Sequence, residues 1–127
     1  MAETELYEKG MKIRRQVLGD EYVDRALANS DEFSADLQTL VTEFCWGSTW
    51  ARGVLSLKQR SLNNLCLLAA LNRQQEFEIH LRGAIRNGCT RDEIKETLLQ
   101  IAVYAGIPAG VEAFRIARKV LAETEGA

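Results

Sequence analysis

Along most of this chain apolar residues recur at spacings of three and four. That is the period of a helix with one side laid against a core. Valine and isoleucine are scattered and never alternate with polar residues over a strand's length, so no strand is expected. The first helix should run from about Thr4 to Leu18 and end at Gly19. A short one should cover Tyr22 to Ala28. Ser30-Asp31 offers an N-cap for a helix from about Glu32 to Cys45, with Phe33, Leu37, Leu40, Val41 and Phe44 on one face. The segment Trp46 to Gly53 reads as irregular or short-helical, and the four-residue spacing of Trp46 and Trp50 puts both indoles on one side of any helical turn there.

Ser56-Leu57-Lys58-Gln59 has the form of a capping box. It opens a helix to about Leu71 that is apolar nearly all round, and so expected to be central or at a subunit interface. The next helix should span Gln74 to Asn87 and stop at Gly88. A second capping box, Thr90 to Glu93, opens a helix to Ala105. Gly106-Ile107-Pro108 breaks it, Pro108 serving as first residue of a last helix to about Leu121, and the tail from Glu123 to Ala127 should fray. The expected fold is all-α: a compact single-domain bundle of about six to seven helices spanning residues 1–127.

The 127 residues suit one hydrophobic core without staples. A net charge of −2, from 16 basic and 18 acidic residues with no basic stripe, excludes an ordinary nucleic-acid binder. No apolar run reaches a membrane span, and the acidic start Met1 to Glu5 is unlike a signal peptide. A cytoplasmic protein is expected, its cysteines at 45, 66 and 89 reduced and acting as small packing groups. One histidine and no Cys-x-x-Cys leave too few ligands for a metal site, and no glycine-rich phosphate loop is present.

Two groups of residues could carry chemistry. His80, the sole histidine, follows Glu76 by four residues, which places both on one helix face. A carboxylate beside an imidazole raises its pKa and orients it, which suits a proton donor near neutral pH. The plain alternative is a surface histidine in a helical charge pattern with Glu78, Arg82 and Arg86. Trp46, Trp50 and Arg52 could form a pocket for a flat anion, the guanidinium binding a carboxylate and the indoles excluding water. Equally, the indoles could fill core or interface space while Arg52 caps a helix end. Arg82 and Tyr104 are further candidates for contact with a substrate.

Several segments, in collinear order over nearly the whole chain, resemble the carboxymuconolactone decarboxylase family. They are Tyr7 to Asp20, Trp46-Gly47 with Trp50-Ala51-Arg52, and Leu57 to Leu62 with Arg60-Ser61. Glu76 to Gly88, Thr90 to Ile94 and Val103 to Ala109 complete the set. Arg52-Gly53-Val54 departs from the Arg-Pro-Gly common in the family, and Asn63-Asn64 is unusually polar for its helix. The AhpD-like fold that the resemblance implies also carries thiol peroxidase partners with a cysteine pair before the histidine. Arg73 and Glu76 stand in those places here, so thiol redox chemistry is not expected.

The resemblance implies a homo-oligomer, a hexamer in this family, and cofactor-independent loss of CO2 from 4-carboxymuconolactone in aromatic catabolism. The substrate's conjugated lactone would take the charge. His80 would return the proton with Glu76 as its orienter, while Arg52 would meet a carboxylate or the developing oxyanion. Trp46, Trp50, Arg82 and Tyr104 would complete the substrate's surroundings. Two other readings stay open: a same-fold enzyme acting on another lactone or a phenolic ring acid, and a non-catalytic oligomeric binding module.

Overall fold

The computed structural model describes residues 3–125, the side chain of Glu125 excepted. Among them are seven α-helices, one π-helical segment and no strand. Internal contacts divide the chain into two units, Met1–Leu57 and Lys58–Ala127, where one domain over 1–127 was anticipated.

The first unit is built on α1 (Glu5–Leu18), α2 (Asp20–Ala28), α3 (Ala35–Leu40) and the π segment Val41–Trp50. The Thr4 side chain accepts from the Tyr7 amide at 3.0 Å and so starts α1, while Gly19, at φ 89°, ends it. Gly10, Arg14, Val17 and Leu18 form the buried stripe of α1. A Cβ on Gly10 would stand 2.0 Å from the Thr42 carbonyl oxygen, and one on Gly47 would stand 2.4 Å from that of Leu6. The two glycines therefore let α1 and the π segment touch backbone to backbone.

The third helix departs from expectation. Asp31 Oδ1 accepts from the amides of Phe33 and Ser34, which holds a turn, and α3 begins only at Ala35. Beyond Leu40 the ladder widens into the π segment, whose end is marked by the Ala51 amide donating to the Trp46 carbonyl five residues back, at 2.9 Å. The apolar face read along this stretch exists, but it points outward. Phe33 is 94% exposed, Leu37, Leu40 and Phe44 are exposed too, and Val41 is half-buried.

The second unit holds α4 (Leu57–Ala70, whose first residue belongs to the first unit), α5 (Gln74–Arg86), α6 (Arg91–Tyr104) and α7 (Ile107–Glu125). Its core collects one stripe per helix: Phe77, Leu81 and Ala84 from α5; Ile94, Leu98 and Ile101 from α6; Ala113, Ile116, Ala117 and Val120 from α7. The Thr90–Glu93 capping box is formed reciprocally, at 3.1 and 2.8 Å. Gly106, at φ 108°, turns the chain between α6 and α7, and a Cβ on Gly110 would stand 2.4 Å from Ala102 Cβ, so the two helices meet closely there.

Two expectations about the last helix are corrected here. Pro108 occupies the second position of α7, where its missing N–H still costs no helical bond. That helix continues to Glu125, through part of the tail expected to fray; residues 126 and 127 lie outside the described residues. Of the two places expected for α4, the centre of the core is not the one it takes in the second unit, where only its Ser61 and Leu65 are fully buried while Leu67 and Leu71 are exposed.

Candidate active site

In the second unit, α5 carries His80 half-buried on one side. Its Nδ1 lies 3.5 Å from the side-chain nitrogen of Asn64 on α4. An amide N–H donating to Nδ1 leaves the ring proton on Nε2. Burial pushes the His80 pKa down from 6.5 to about 4, so the imidazole is neutral at pH 7. The sequence reading had it raised by Glu76. Glu76 instead is exposed, without a hydrogen bond or ion pair among the described residues, and desolvation alone sets the direction. Asn64, noted only as an oddly polar residue in an apolar helix, is the side chain that meets the ring. The signal that could have found it was that very polarity, because a buried-side amide needs a partner.

Arg82, two residues beyond His80, is turned well away from it around α5. Its guanidinium bridges Glu78 at 3.0 Å and Glu123 at 2.8 Å, and Lys119 approaches Glu78 at 3.5 Å. The two carboxylates hold Arg82 above its usual pKa, and the guanidinium holds Glu78 below its own. Arg82 thus ties α5 to α7. Tyr104 closes α6 with its ring exposed to solvent. The α4–α5 pair is fastened by a second polar contact that the sequence did not suggest: Asn87 Nδ2 donates to the fully buried Ser61 hydroxyl at 2.8 Å.

In the first unit, the π segment brings Trp46 and Trp50 together as their spacing foretold. Their ring centroids are 4.7 Å apart and tilted by 33°, and both indoles are buried. Arg52, just past the end of the segment, is exposed. Its amide donates to the Thr49 carbonyl at 3.1 Å, and its guanidinium has no ion pair among the described residues. Thr42, Trp46, Gly47 and Trp50 are the buried residues of the segment, and the Thr42 hydroxyl accepts from Arg14 Nη1 at 3.2 Å.

The three cysteines are unpaired. Burial raises the pKa of each thiol, which suits packing groups better than nucleophiles. No group of three His, Cys, Asp or Glu side chains converges among the described residues. Nor is any described helix long and apolar enough to cross a membrane.

Comparison with known proteins adds a family. Residues 35–119 match the Carboxymuconolactone decarboxylase family. The chain is 39% identical over 120 residues to a 4-carboxymuconolactone decarboxylase of Acinetobacter baylyi, covering 94% of this chain and 90% of that one. It is 44% identical over 116 residues to the nitrosuccinic acid decarboxylase npaB of Metarhizium robertsii, covering 91% and 81%. A third relative, a 4-carboxymuconolactone decarboxylase of Pseudomonas putida, is 40% identical over 47 residues, which are 37% of this chain and 98% of that sequence. With one relative matched almost end to end and the family pattern running through the helices that carry both Trp46 and His80, this chain belongs to the carboxymuconolactone decarboxylase family.

Proposed function

We propose that the protein is a cofactor-independent carboxy-lyase acting on 4-carboxymuconolactone to give the enol-lactone of 3-oxoadipate in aromatic catabolism. The observation that carries this reading is the near end-to-end likeness to a relative bearing that activity in its name. In the reaction the bond to the departing carboxylate breaks and CO2 leaves. The electron pair passes through the ring double bond to the lactone carbonyl, and a proton then returns to carbon. The enzyme needs to bind a dianion, stabilise the dienolate and return that proton. His80 is the proton donor, oriented by Asn64.

A neutral imidazole is a weak acid. The dianion supplies the correction: negative charge beside the ring opposes desolvation and draws a proton onto it. His80 is therefore charged in the substrate complex rather than in the free enzyme.

A second reading is favoured by the 44% identity to a nitrosuccinic acid decarboxylase. The two named substrates share a skeleton. In each, the carbon that loses CO2 also bears a carboxymethyl arm and an electron-withdrawing group, a conjugated lactone in one and a nitro group in the other. The substrate class is then a succinate whose second carbon carries an electron sink. Glu76 and Tyr104 have no step in this scheme, and Arg82 serves the α5–α7 contact.

The match across 35–119 runs through both units, which supports their working as one domain. We further propose a cytoplasmic homo-oligomer, a hexamer as in the family, because Phe33, Leu37, Leu40 and Phe44 form an apolar face exposed in the single chain. The deciding assay offers purified enzyme each compound separately and measures CO2. Release from 4-carboxymuconolactone with little from nitrosuccinate supports the first reading, and the reverse supports the second. Release from neither leaves a binding module.

A further inference from the structure

The α6–α7 hairpin of the second unit carries a groove that the proposed reaction does not use. Three hollows of about 460, 110 and 310 Å³ follow one another along it, and Arg118 lines all three. The floor is apolar: Ile94, Leu98 and Ala102 from α6, with Gly110, Phe114 and Leu121 from α7. The α6 positions recur every fourth residue and so form one stripe along that helix. Ile107 and Val111, at the end near the turn, are exposed. The rim is basic. Arg91 and Lys95 stand on the α6 side, Arg115 and Arg118 on the α7 side, and no described carboxylate lines any of the hollows. Arg115 is paired with Glu112, but the side chains of Lys95 and Arg118 have no hydrogen bond or ion pair among the described residues.

An apolar trough with positive edges fits an apolar helix face with negative edges. The chain itself has one. Phe33, Leu37, Leu40 and Phe44 are exposed in the first unit and spaced by four, three and four residues. From Ala26 to Ala51 the sequence has no Lys or Arg, while Asp31, Glu32, Asp36 and Glu43 all fall in that span. Asp31 is used in its own turn, and Glu43 accepts from the Thr4 hydroxyl. Glu32 and Asp36, both exposed and four residues apart, have no ion pair among the described residues. Phe33 to Phe44 is as many residues as Arg91 to Ala102 on α6, roughly 16 Å of helix in each case.

We propose that the α6–α7 groove of one copy receives the Phe33–Phe44 stretch of a second copy, with Lys95 and Arg118 meeting Glu32 and Asp36. The four apolar side chains supply the buried area, and the charges set the partner and the register. A second copy is the occupant because the sequence that makes the basic groove also makes an acidic, apolar stretch of matching length. The inference rests on the homo-oligomer proposed above and adds which two surfaces meet. Each copy offers both surfaces, so a two-fold pair makes the contact twice and a closed ring makes it once per copy.

The test is a charge exchange read by light scattering at micromolar concentration, with circular dichroism to show that each chain is folded. Glu32→Lys with Asp36→Lys makes the stretch basic, and Lys95→Glu with Arg118→Glu makes the groove acidic. Each double variant alone should fall below the wild-type mass, because its stretch and groove then carry the same sign. An equal mixture of the two should regain that mass, since every stretch finds a groove of opposite sign. A chain carrying all four changes should regain it too. In the wild type, a carbodiimide joins an amine to a carboxylate with no spacer. It should link Lys95 to Glu32 or Asp36 in covalent dimers and not in the monomers separated from the same reaction. These links need no variant, so they decide the matter if a changed chain unfolds. An oligomer whose mass neither double variant lowers overturns the proposal and leaves the homo-oligomer standing. So does a mixture of folded variants that stays small, or a Lys95 joined in the dimers only to other carboxylates. A wild-type monomer removes the homo-oligomer and this contact with it.

Discussion

At the scale of single residues, His80 shows how burial changes a reading made from spacing alone. Glu76 stands one helical turn away, yet exposure leaves it no hold on the ring, and desolvation takes the pKa to about 4. Two consequences follow with opposite charge logic. In the folded free protein the neutral ring is a stabilising state relative to an unfolded chain whose histidine titrates near 6.5. That contribution is whole above pH 6.5 and is lost as pH falls through about 4. Denaturant midpoints taken from pH 7 to pH 4 should fall by the equivalent of up to about 3 kcal/mol, and His80→Gln should flatten that slope. On the proposed mechanism a bound dianion raises the ring's pKa, so the basic limb of kcat should lie at higher pH than that of kcat/KM. His80→Ala should lower kcat by ~10²–10⁴-fold with a modest change in KM. Asn64→Ala should also lower kcat, by loosening the ring, whereas Glu76→Gln should change it little. Wild-type turnover by folded His80→Ala would end the assignment. Arg52→Ala should cost on the order of 2 kcal/mol in kcat/KM if its guanidinium meets the oxyanion; an unchanged value would make Arg52 a surface residue.

The π segment is the element on which the first unit depends. Its wider turn keeps Thr42, Trp46 and Trp50 on the buried side while Gly47 and Gly10 let α1 come into backbone contact. Gly10→Ala therefore has no cheap relaxation, since the atom it meets is a backbone carbonyl oxygen at 2.0 Å. It should destabilise the protein by about 1–3 kcal/mol, the usual cost of overpacking, although alanine is the better helix former. Thermal melting of Gly10→Ala beside Gly53→Ala, which meets nothing within 4 Å, separates steric cost from glycine's own entropy. A Gly10→Ala protein as stable as wild type would show that the crossing can open.

For the whole molecule, the unclaimed apolar surface is the guide. Phe33, Leu37, Leu40 and Phe44 on one stretch, and Val103, Ile107 and Val111 near the α6–α7 turn, are exposed in the single chain. On the homo-oligomer proposed above, this face is the contact between copies of the chain. Light scattering at micromolar concentration should give an oligomer mass, and Phe33→Glu with Leu37→Glu should reduce it without unfolding the chain. A monomer in the wild type would refute the assembly. Because the thiols are raised in pKa and half-buried or buried, mild alkylation should leave turnover intact, and chelators should do the same.

Periodicity and end signals are local properties, and here they were decisive. Thr4, Gly19, Gly88 and the Thr90–Glu93 box marked helix ends that the structure keeps, because a cap is a contact between residues a few positions apart. The spacing of Trp46 and Trp50 gave their stacking for the same reason. The family, too, was legible in the ordered motifs. What the sequence could not contain was the outcome of competition between distant groups. Whether the Phe33–Phe44 face turned in or out, whether α4 became central, and that Asn64 and not Glu76 met His80 were settled by packing between helices. Arg14 and Arg15 are adjacent and identical in chemistry. Only the tertiary structure decided that one would sit half-buried between two aspartates and the other would be buried with the neutral oxygens of Gln38 and Thr42 as its hydrogen-bond partners. Desolvation depends on everything that surrounds a group, and no local pattern records it.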